Sequence, residues 1–259
     1  MAERPVALIT GASMGIGEAF ADALAGRGYD LALVARSGDV LERIAARVRS
    51  AHGIDAQAVV ADLEDAPSVE RAAQAVQDRF GRVDLLVNNA GYGAHGRFEA
   101  IEPARETGQI RLNIEALVAL TNRFAPAMLA RGSGGIINVA STAAFQPVPY
   151  MAVYGATKAF VLSFSEALAE EFRGRGVRVL ALCPGATRTN FFQVAGEGAQ
   201  AGRFRAPADV VRTALRAYER GASYAVDGPL NRLLAASPRF FPRPWVARVT
   251  GRMMQPAQR

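Results

Sequence analysis

The stretch Val6-Ala7-Leu8-Ile9-Thr10-Gly11-Ala12-Ser13-Met14-Gly15-Ile16-Gly17 decides the fold of this chain. Its first five residues are mostly apolar and predict a buried strand. The glycines at positions 11, 15 and 17 then predict a tight turn that opens a helix reaching about residue 27. Glycines at such a turn let a pyrophosphate approach the backbone amides at the helix N-terminus. The stretch therefore predicts a dinucleotide-binding turn with Gly-x-x-x-Gly-x-Gly spacing.

Strand-like and helix-like segments alternate along the rest of the chain. We predict further strands at 31–35, 56–61, 84–88, 135–140, 177–182 and 224–227. We predict further helices at 40–50, 67–80, 104–130 and 207–220, and one that carries residue 154 and continues to about residue 172. This alternation is typical of an α/β fold with a doubly wound parallel sheet, whose functional loops lie at the carboxyl ends of the strands. We therefore expect one Rossmann-fold domain over residues 1–228, containing the cofactor and catalytic sites, and a separate tail at 229–259.

The composition narrows the class of protein. Half of the 259 residues are hydrophobic, which is enough for a sizeable core, and no run of eighteen apolar residues predicts a spanning helix. The single cysteine, Cys183, excludes an internal disulfide, and two histidines are too few for a histidine-based metal site. We therefore expect no metal. The cysteine usage and the lack of a charged-then-apolar leader before Val6 predict a cytoplasmic location.

The net charge of +6 is concentrated at one end of the chain. Residues 1–202 carry 19 basic and 21 acidic side chains, whereas residues 203–259 carry 11 arginines and only 3 acidic side chains. No nucleic-acid motif and no aromatic-basic interleaving accompany these arginines, so we expect no nucleic-acid partner. The apolar residues of 229–259 are spaced as in short amphipathic helices interrupted by prolines. This tail could pack on the domain or on a second subunit, or it could contact a membrane surface, which suits Arg beside Trp and Leu.

A tyrosine and a lysine four residues apart, Tyr154 and Lys158, would share one face of a helix. A nearby ammonium favours a phenolate, so we expect Lys158 to lower the pKa of Tyr154 toward the working range of a proton donor. Lys158 is the only lysine among thirty basic side chains. Arginine is a poor substitute where a compact ammonium is needed. The alternative is a surface lysine that happens to follow a tyrosine.

The end of the second predicted strand indicates which dinucleotide binds. An enzyme that uses NAD usually has an acidic residue there for the ribose 2′-hydroxyl, and this chain has Arg36-Ser37 instead. Arg36 can pair with a 2′-phosphate, and Ser37 can donate a hydrogen bond to it. We therefore predict NADP(H), although the glycine turn holds Met14 where a second basic residue would strengthen the preference. The alternative for Arg36 is a solvated arginine at the end of a strand.

Five motifs occur in order along the chain: Thr10-Gly11-x-x-x-Gly15-x-Gly17, Asn88-Asn89-Ala90-Gly91, Ser141, Tyr154-x-x-x-Lys158 and Pro184-Gly185. With these motifs, the chain resembles the single-domain type of the short-chain dehydrogenase/reductase family over about residues 5–228. The resemblance implies a Rossmann fold that binds a nicotinamide dinucleotide. It also implies a homodimer or homotetramer, with the helices at 104–130 and 151–172 as contact faces.

The resemblance implies a role for particular residues. Ser141 would hydrogen-bond the substrate oxygen, Tyr154 would exchange a proton with it, and Lys158 would hold the ribose hydroxyls. Asn113 would hold a water beside Lys158 that resupplies the proton. Pro184, Gly185 and Thr189 would position the nicotinamide. The predicted cofactor-binding residues are Thr10, Gly11, Ser13, Met14, Gly15, Ile16, Gly17, Arg36, Ser37, Asp62, Leu63, Asn89, Ala90, Gly91, Tyr154, Lys158, Pro184, Gly185, Thr187 and Thr189.

The substrate is indicated by apolar residues around these motifs. Phe145, Val148 and Met151 lie between Ser141 and Tyr154, and Phe191 and Phe192 follow Thr189. These residues either belong to the core or line a pocket, and a pocket of this kind predicts a hydrophobic ketone or alcohol. The segment 194–202 is rich in Gly and Ala and predicts a mobile lid.

The sequence favours an oxidoreductase that transfers a hydride between NADP(H) and a carbonyl or secondary alcohol. The first alternative is a nucleotide-binding regulator without activity, from which loss of the Tyr or the Lys would be expected. The second is a peripheral membrane enzyme that reduces a lipid ketone and uses its basic tail for attachment. Within the family, residues 140–164 and the tail look most like reductases of hydroxysteroids and long-chain ketoacyl groups.

Overall fold

The computed structural model describes residues 4–191, 195 and 204–256. Strand β1 is Val6–Thr10, and helix α1, Gly15–Ala25, begins at the glycine turn. The pairs β2 and α2, and β3 and α3, follow as Asp30–Ala35, Gly38–His52, Ala56–Val60 and Ala66–Phe80. All five residues of β1 are buried, which accounts for its uninterrupted apolar run. The first half of the chain therefore has the strand–helix alternation that its sequence predicts.

The second half continues this alternation. Its strands are β4, Leu85–Asn88, β5, Gly134–Val139, β6, Val177–Cys183, and β7, Tyr224–Val226. Its helices are α4, Pro103–Ile110, α5, Ala116–Arg131, α6, Ala152–Glu171, and α7, Pro207–Glu219. The predicted helix at 104–130 is one helical rod interrupted by a π-helical turn at Arg111–Glu115. This wider turn contains Asn113, which is buried.

The sheet of the described residues has seven parallel strands in the order β3-β2-β1-β4-β5-β6-β7. The strand order reverses between β1 and β4, which pair in parallel in the centre of the sheet. Ligands of such sheets bind in the crevice outside the carboxyl ends of the strands at this reversal. Hydrophobic cores fill the layers on either side, one around Phe20 under α1, α2 and α7, the other around Phe124 under α3 and α5. The predicted doubly wound α/β fold is confirmed.

The tail forms two further helices, α8, Pro229–Ala236, and α9, Arg243–Met254, joined by a 3₁₀ turn at Ser237–Phe240. Ala235, Val246 and Met254 are buried, so the tail packs on the body of the protein. The boundary at residue 228 stays a prediction. Among the helices of the described ranges, none has both the length and the apolar character that crossing a membrane requires.

Candidate active site

A cavity of about 1400 Å³ opens at the carboxyl ends of the strands. The loops after β1, β2, β3, β4, β5 and β6 line it, and helices α8 and α9 of the tail close its outer side. Its lining includes Arg36, Tyr154, Lys158 and Trp245. The cavity therefore joins all the predicted motifs in one cleft.

The glycine turn forms one lip of this cleft. Gly11 and Gly15 have φ values of +63° and +60°, which only glycine adopts at low cost. A Cβ built on Gly15 would lie 2.7 Å from Cγ2 of Thr189, so this glycine lets the turn contact the loop after β6. A Cβ on Gly17 would clash with the backbone oxygen of Gly11. The turn thus leaves its backbone exposed to the cleft at the N-terminus of α1, and these residues fit a dinucleotide pyrophosphate.

Thr10 and Asn89 join the glycine turn to the loop after β4. The Thr10 hydroxyl accepts hydrogen bonds from the backbone amides of Asn89 and Ala90, each at 3.0 Å. The Asn89 amide donates back to the backbone oxygens of Thr10 and Gly11, at 2.8 and 3.1 Å. Thr10 itself is buried and does not line the cleft. Thr10 therefore joins two loops that do line the cleft.

The end of the cleft near β2 has mixed charge. Arg36 and Ser37 line it together with Asp62, Leu63 and Glu64. A second arginine, Arg105 on α4, also lines this end, with its guanidinium 5.8 Å from the ring centroid of Tyr92. Burial and the nearby Glu64 raise the pKa of Tyr92, whereas Arg105 and Arg36 lower it, so both arginines act on the same phenol. Sequence reasoning missed Arg105, since α4 lies far from β2 along the chain.

Asn113 lies under the cleft and not on its wall. Its Oδ1 atom accepts from the backbone N–H of Tyr92 at 3.1 Å. Its Nδ2 atom donates to the backbone oxygen of Tyr92 and to Oγ1 of Thr157, both at 3.0 Å. A Cβ on Gly91 would meet both Asn113 Oδ1, at 2.8 Å, and Lys158 Nζ, at 3.4 Å. The side-chain amide of Asn113 therefore joins the loop after β4 to α6, close to the lysine.

Ser141, Tyr154 and Lys158 come together where β5 ends against α6. Tyr154 and Lys158 are one turn apart on α6, and both are buried. The Lys158 ammonium lies 5.8 Å from the centroid of the Tyr154 ring and donates to the Val139 backbone oxygen at 2.7 Å. The Ser141 hydroxyl accepts from the Ala143 amide at 3.1 Å, which leaves its own O–H able to donate. The hydroxyl, phenol and ammonium thus border the same part of the cleft.

Burial is the largest influence on the pKa values of Tyr154 and Lys158. It raises the pKa of Tyr154 to about 12, and the side-chain hydrogen bond with Ser141 acts in the opposite direction. Burial also lowers the pKa of Lys158 to about 8. The expectation that the pKa of Tyr154 is lowered is therefore wrong for this structure, because removal from water raises it and outweighs the opposing hydrogen bond with Ser141. A phenol with this pKa stays protonated at neutral pH, as a proton donor must be.

Apolar side chains surround the phenol. Val148, Met151, Tyr154, Ala195 and Met254 form one buried cluster. Phe191 packs against the Tyr154 ring with 5.2 Å between centroids. Val148, Met151 and Phe191 line the cleft, as predicted for a pocket. Phe145 does not line it, because its ring packs on Tyr224, 6.2 Å away, in a different core cluster. Phe192 and most of the predicted lid at 194–202 fall outside the described residues.

The tail contributes to the same apolar wall. His95 Nε2 lies 2.7 Å from the backbone oxygen of Met254, which ties the end of α9 to the loop after β4. The same loop bonds through the Gly96 amide to the oxygen of Tyr150, a non-glycine residue with φ +65°. Strain of this kind is common beside active sites. Tail residues of the wall that sequence reasoning did not assign are Leu230, Leu234, Phe241, Trp245, Val249, Met253 and Met254.

The structure brings most of the predicted residues to the wall of the cleft. Those that it places on the wall are Gly11, Ser13, Met14, Gly15, Ile16, Arg36, Ser37, Asp62, Leu63, Asn89, Ala90, Gly91, Ser141, Val148, Met151, Tyr154, Lys158, Pro184, Gly185, Thr187, Thr189 and Phe191. Thr10, Gly17, Asn113 and Phe145 lie behind it. The fold and the site together define a dinucleotide-binding protein with a buried tyrosine and an adjacent apolar pocket.

Comparison with known proteins agrees with this class. The short chain dehydrogenase family profile matches residues 5–200. D-threitol dehydrogenase of Mycolicibacterium smegmatis is 33% identical over 238 residues, covering 86% of this chain and 91% of that protein. A short-chain dehydrogenase from Sphingobium yanoikuyae, solved with NADPH, is 33% identical, with a TM-score of 0.82 and 98% of each chain covered. The bulky-bulky ketone specific alcohol dehydrogenase from Comamonas testosteroni is 30% identical, with a TM-score of 0.79 and coverages of 99% and 96%.

The chain therefore belongs to the short-chain dehydrogenase/reductase family, as its motifs predict. It is an NAD(P)-dependent oxidoreductase acting on CH–OH groups or ketones.

Proposed function

We propose that this protein is an NADP(H)-dependent reductase of hydrophobic ketones in which Tyr154 is the proton donor. The observation that carries the proposal is the position of the Tyr154 phenol. It is buried and has Ser141, Lys158 and the apolar ring of Phe191 as neighbours. A carbonyl group placed there would meet two hydroxyl groups at its oxygen and apolar side chains around its substituents.

The residues act on the oxygen of the substrate. NADPH, when bound along the glycine turn, supplies the hydride to the carbonyl carbon. Ser141 donates a hydrogen bond to the carbonyl oxygen as negative charge develops on it. Tyr154 transfers its proton to that oxygen. The buried ammonium of Lys158 then lies close enough to stabilise the tyrosinate until it is reprotonated.

Asn113 has a positioning role in this proposal. Its amide is engaged with Tyr92 and Thr157, so it fixes the loop after β4 against α6 beside Lys158. The π-helical turn presents this side chain inward, and such turns are frequent at functional sites. The water that the family resemblance implies at Asn113 stays a proposal.

The preference for NADP(H) is supported by charge at the far end of the cleft. Arg36 stands where an acidic residue would select NAD, and Arg105 adds a second guanidinium to the same end. Arg36→Asp should reverse the preference, measured as the ratio of kcat/KM for NADPH to that for NADH. Arg97→Asp, which removes an exposed arginine outside the cleft lining, is the matched control. An unchanged ratio in Arg36→Asp would show that Arg36 does not bind the 2′-phosphate.

The proposed substrate class follows from the wall beyond Tyr154. Met151, Phe191, Trp245 and Met253 line the cleft with apolar surface and offer no charge to an anionic group. A bulky or long-chain ketone fits this wall better than a polyol does. The Comamonas testosteroni relative, specific for bulky-bulky ketones, supports this choice. A panel of ketones of increasing size, with NADPH consumption as the readout, tests it: the smallest ketones should have the lowest kcat/KM.

The chemical role of Tyr154 has a direct test. Tyr154→Phe should lower kcat by at least about 100-fold, because the proton donor is lost while the ring remains. NADPH binding, followed by fluorescence titration, should be nearly unchanged. Retained turnover would refute the proposal that Tyr154 donates the proton. A wild-type protein that binds NADPH but turns over no ketone of the panel would instead favour a nucleotide-binding regulator.

Three further predictions remain proposals. A homodimer or homotetramer through α4–α5 and α6 is supported by Phe160 and Phe164, which stack at 5.6 Å on α6, with Phe160 39% exposed. A cytoplasmic location is supported by the presence of a single, buried cysteine, Cys183. Contact between the tail and a membrane surface, with reduction of a lipid ketone as the alternative function, is supported by the exposed side chains of α8 and α9.

A further inference from the structure

The outer surface of the tail is unusually apolar. Of the fourteen large hydrophobic side chains that are exposed among the described residues, seven lie between residues 230 and 253. We define these as the tail patch: Leu230, Leu233, Leu234, Phe240, Phe241, Trp245 and Met253. Phe240 is 80% exposed and Leu233 is 68% exposed, and the Phe241 and Trp245 rings stack at 4.7 Å. Exposed large apolar side chains grouped on two neighbouring helices in this way mark an interaction surface.

Arginines are interspersed with the tail patch. Arg232, Arg239, Arg243, Arg248 and Arg252 are all exposed. Within the described parts of the chain, none of the five belongs to an ion pair. The sequence from residue 228 to the end contains no Asp or Glu. The surface therefore combines exposed aromatic and aliphatic side chains with positive charge that the tail itself does not neutralise.

The combination of apolar side chains and positive charge favours one of two possible partners of the tail patch, a second copy of the chain or a lipid surface. A two-fold symmetric dimer would place the patch against its own copy. Ten arginines would then face one another, with no carboxylate from either tail between them. An anionic lipid surface instead supplies negative headgroups for the arginines and an apolar boundary region for Trp245, Phe240 and the leucines. Charge complementarity thus favours lipid.

The tail patch also borders the mouth of the cleft. Trp245 and Met253 line the cavity and are nevertheless 48% and 70% exposed, so they lie at its opening. Leu230, Leu234 and Phe241 have the same two properties. Leu233 and Phe240 belong to the patch without lining the cavity. An apolar molecule could therefore pass from the patch to Tyr154 along hydrophobic side chains.

We propose that the tail patch docks this protein on an anionic lipid surface, with the mouth of the active-site cleft facing the lipid. Leu233, Phe240 and Trp245 enter the boundary between headgroups and acyl chains, and the arginines contact the headgroups. Delivery of a lipophilic ketone through this mouth rests on the proposed reductase function. The docking itself does not, so it can be tested without turnover.

Co-sedimentation of the full chain with vesicles tests the docking. Wild type should bind vesicles of phosphatidylglycerol mixed with phosphatidylcholine, and binding should weaken as salt is added. The pair Leu233→Ser and Phe240→Ser should weaken this binding by about tenfold or more, since two exposed apolar side chains are lost. Val60→Ser with Phe98→Ser is the matched control, because Val60 and Phe98 are 63% and 66% exposed outside the tail. The control should bind as wild type does.

The contribution of the tail arginines to vesicle binding is tested with separate variants. Arg239→Gln with Arg243→Gln should weaken binding by about fivefold for each arginine removed. Arg71→Gln with Arg97→Gln, which removes two well-exposed arginines elsewhere, should have little effect. Vesicles of phosphatidylcholine alone should bind wild type much more weakly than the anionic mixture.

Three results would overturn the docking. The first is wild type that stays in the supernatant with anionic vesicles, and the second is equal loss of binding in the tail and control pairs. The third comes from light scattering: dissociation of a wild-type oligomer by Leu233→Ser with Phe240→Ser would make the patch an interface between copies. Turnover of a small, water-soluble ketone should be unchanged in that pair, because neither side chain lines the cleft. Lipid binding without turnover in wild type would instead count against the reductase function alone.

Discussion

Replacing Lys158 by methionine should make the folded protein no less stable at neutral pH while it removes activity. Lys158 is buried, and burial lowers its pKa from the ordinary value of 10.5 to about 8. At about 1.4 kcal/mol for each tenfold change in proton affinity, this shift corresponds to about 3 kcal/mol of destabilisation at pH 7. Methionine fills a similar volume without a charge. The substitution therefore removes this destabilisation. It also removes the hydrogen bond to the Val139 oxygen, and this loss costs about 1 to 2 kcal/mol of stability.

The dependence on pH isolates the contribution of the charge. The folded state releases the proton of Lys158 near pH 8, whereas the unfolded chain keeps it until about pH 10.5. Between these values the unfolded state binds more protons, so the stability of wild type rises with pH. Relative to Lys158→Met, which cannot titrate there, wild type should therefore gain about 2 kcal/mol between pH 7 and about pH 9.5.

Urea unfolding of the cofactor-free protein at these two pH values measures this difference. Arg71→Met is the control, because it replaces an exposed cation by the same side chain, so its stability relative to wild type should not change with pH. A constant difference between wild type and Lys158→Met would refute the reasoning, since it would mean that burial does not perturb the lysine. A wild type that lost relative stability as the pH rose would contradict the sign.

Three other predictions concern the same fold and site. Ketone reduction should fall as pH rises through about 8, because the ammonium of Lys158 is then lost; a rate profile that stays flat to pH 9.5 would contradict this. Gly17→Ala should weaken NADPH binding at least about tenfold in a fluorescence titration, because its Cβ would displace the Gly11 backbone. Arg205→Met should lower the free energy of unfolding by about 2 to 3 kcal/mol in urea, because it leaves the fully buried Asp227 carboxylate without its cation; an equally stable variant would show that the pair contributes nothing.

Local patterns were sufficient for the architecture. The buried run of β1 has no polar alternation because helices cover both faces of a parallel sheet, and its uninterrupted apolar residues before the glycine turn identified it as a strand. The glycine turn was recognisable because φ values near +60° exclude most other residues. The i, i+4 spacing of Tyr154 and Lys158 placed both on one helix face without any knowledge of their neighbours.

Properties that depend on distant neighbours were not predictable in this way. The pKa of Tyr154 is raised, whereas the sequence predicted a lowered pKa. The cause is burial, and residues from several separate segments, such as Met151, Phe191 and Met254, produce it. Phe145 was an equally plausible pocket residue by sequence, yet its ring turns to Tyr224. The π-helical turn at Asn113 leaves no signal in the hydrophobic pattern.

The sequence by itself determined the fold class, the family and the order of the catalytic motifs, because each depends on residue types at short, fixed spacings. Only the tertiary structure decided how those motifs are surrounded. It brought Arg105 and Arg36 to the lining of one cleft, placed residues of the tail helices α8 and α9 in the same lining, and buried the single lysine deeply enough to lower its pKa. These outcomes depend on contacts between segments far apart in the chain, and desolvation is a property of the assembled neighbours and not of any local stretch.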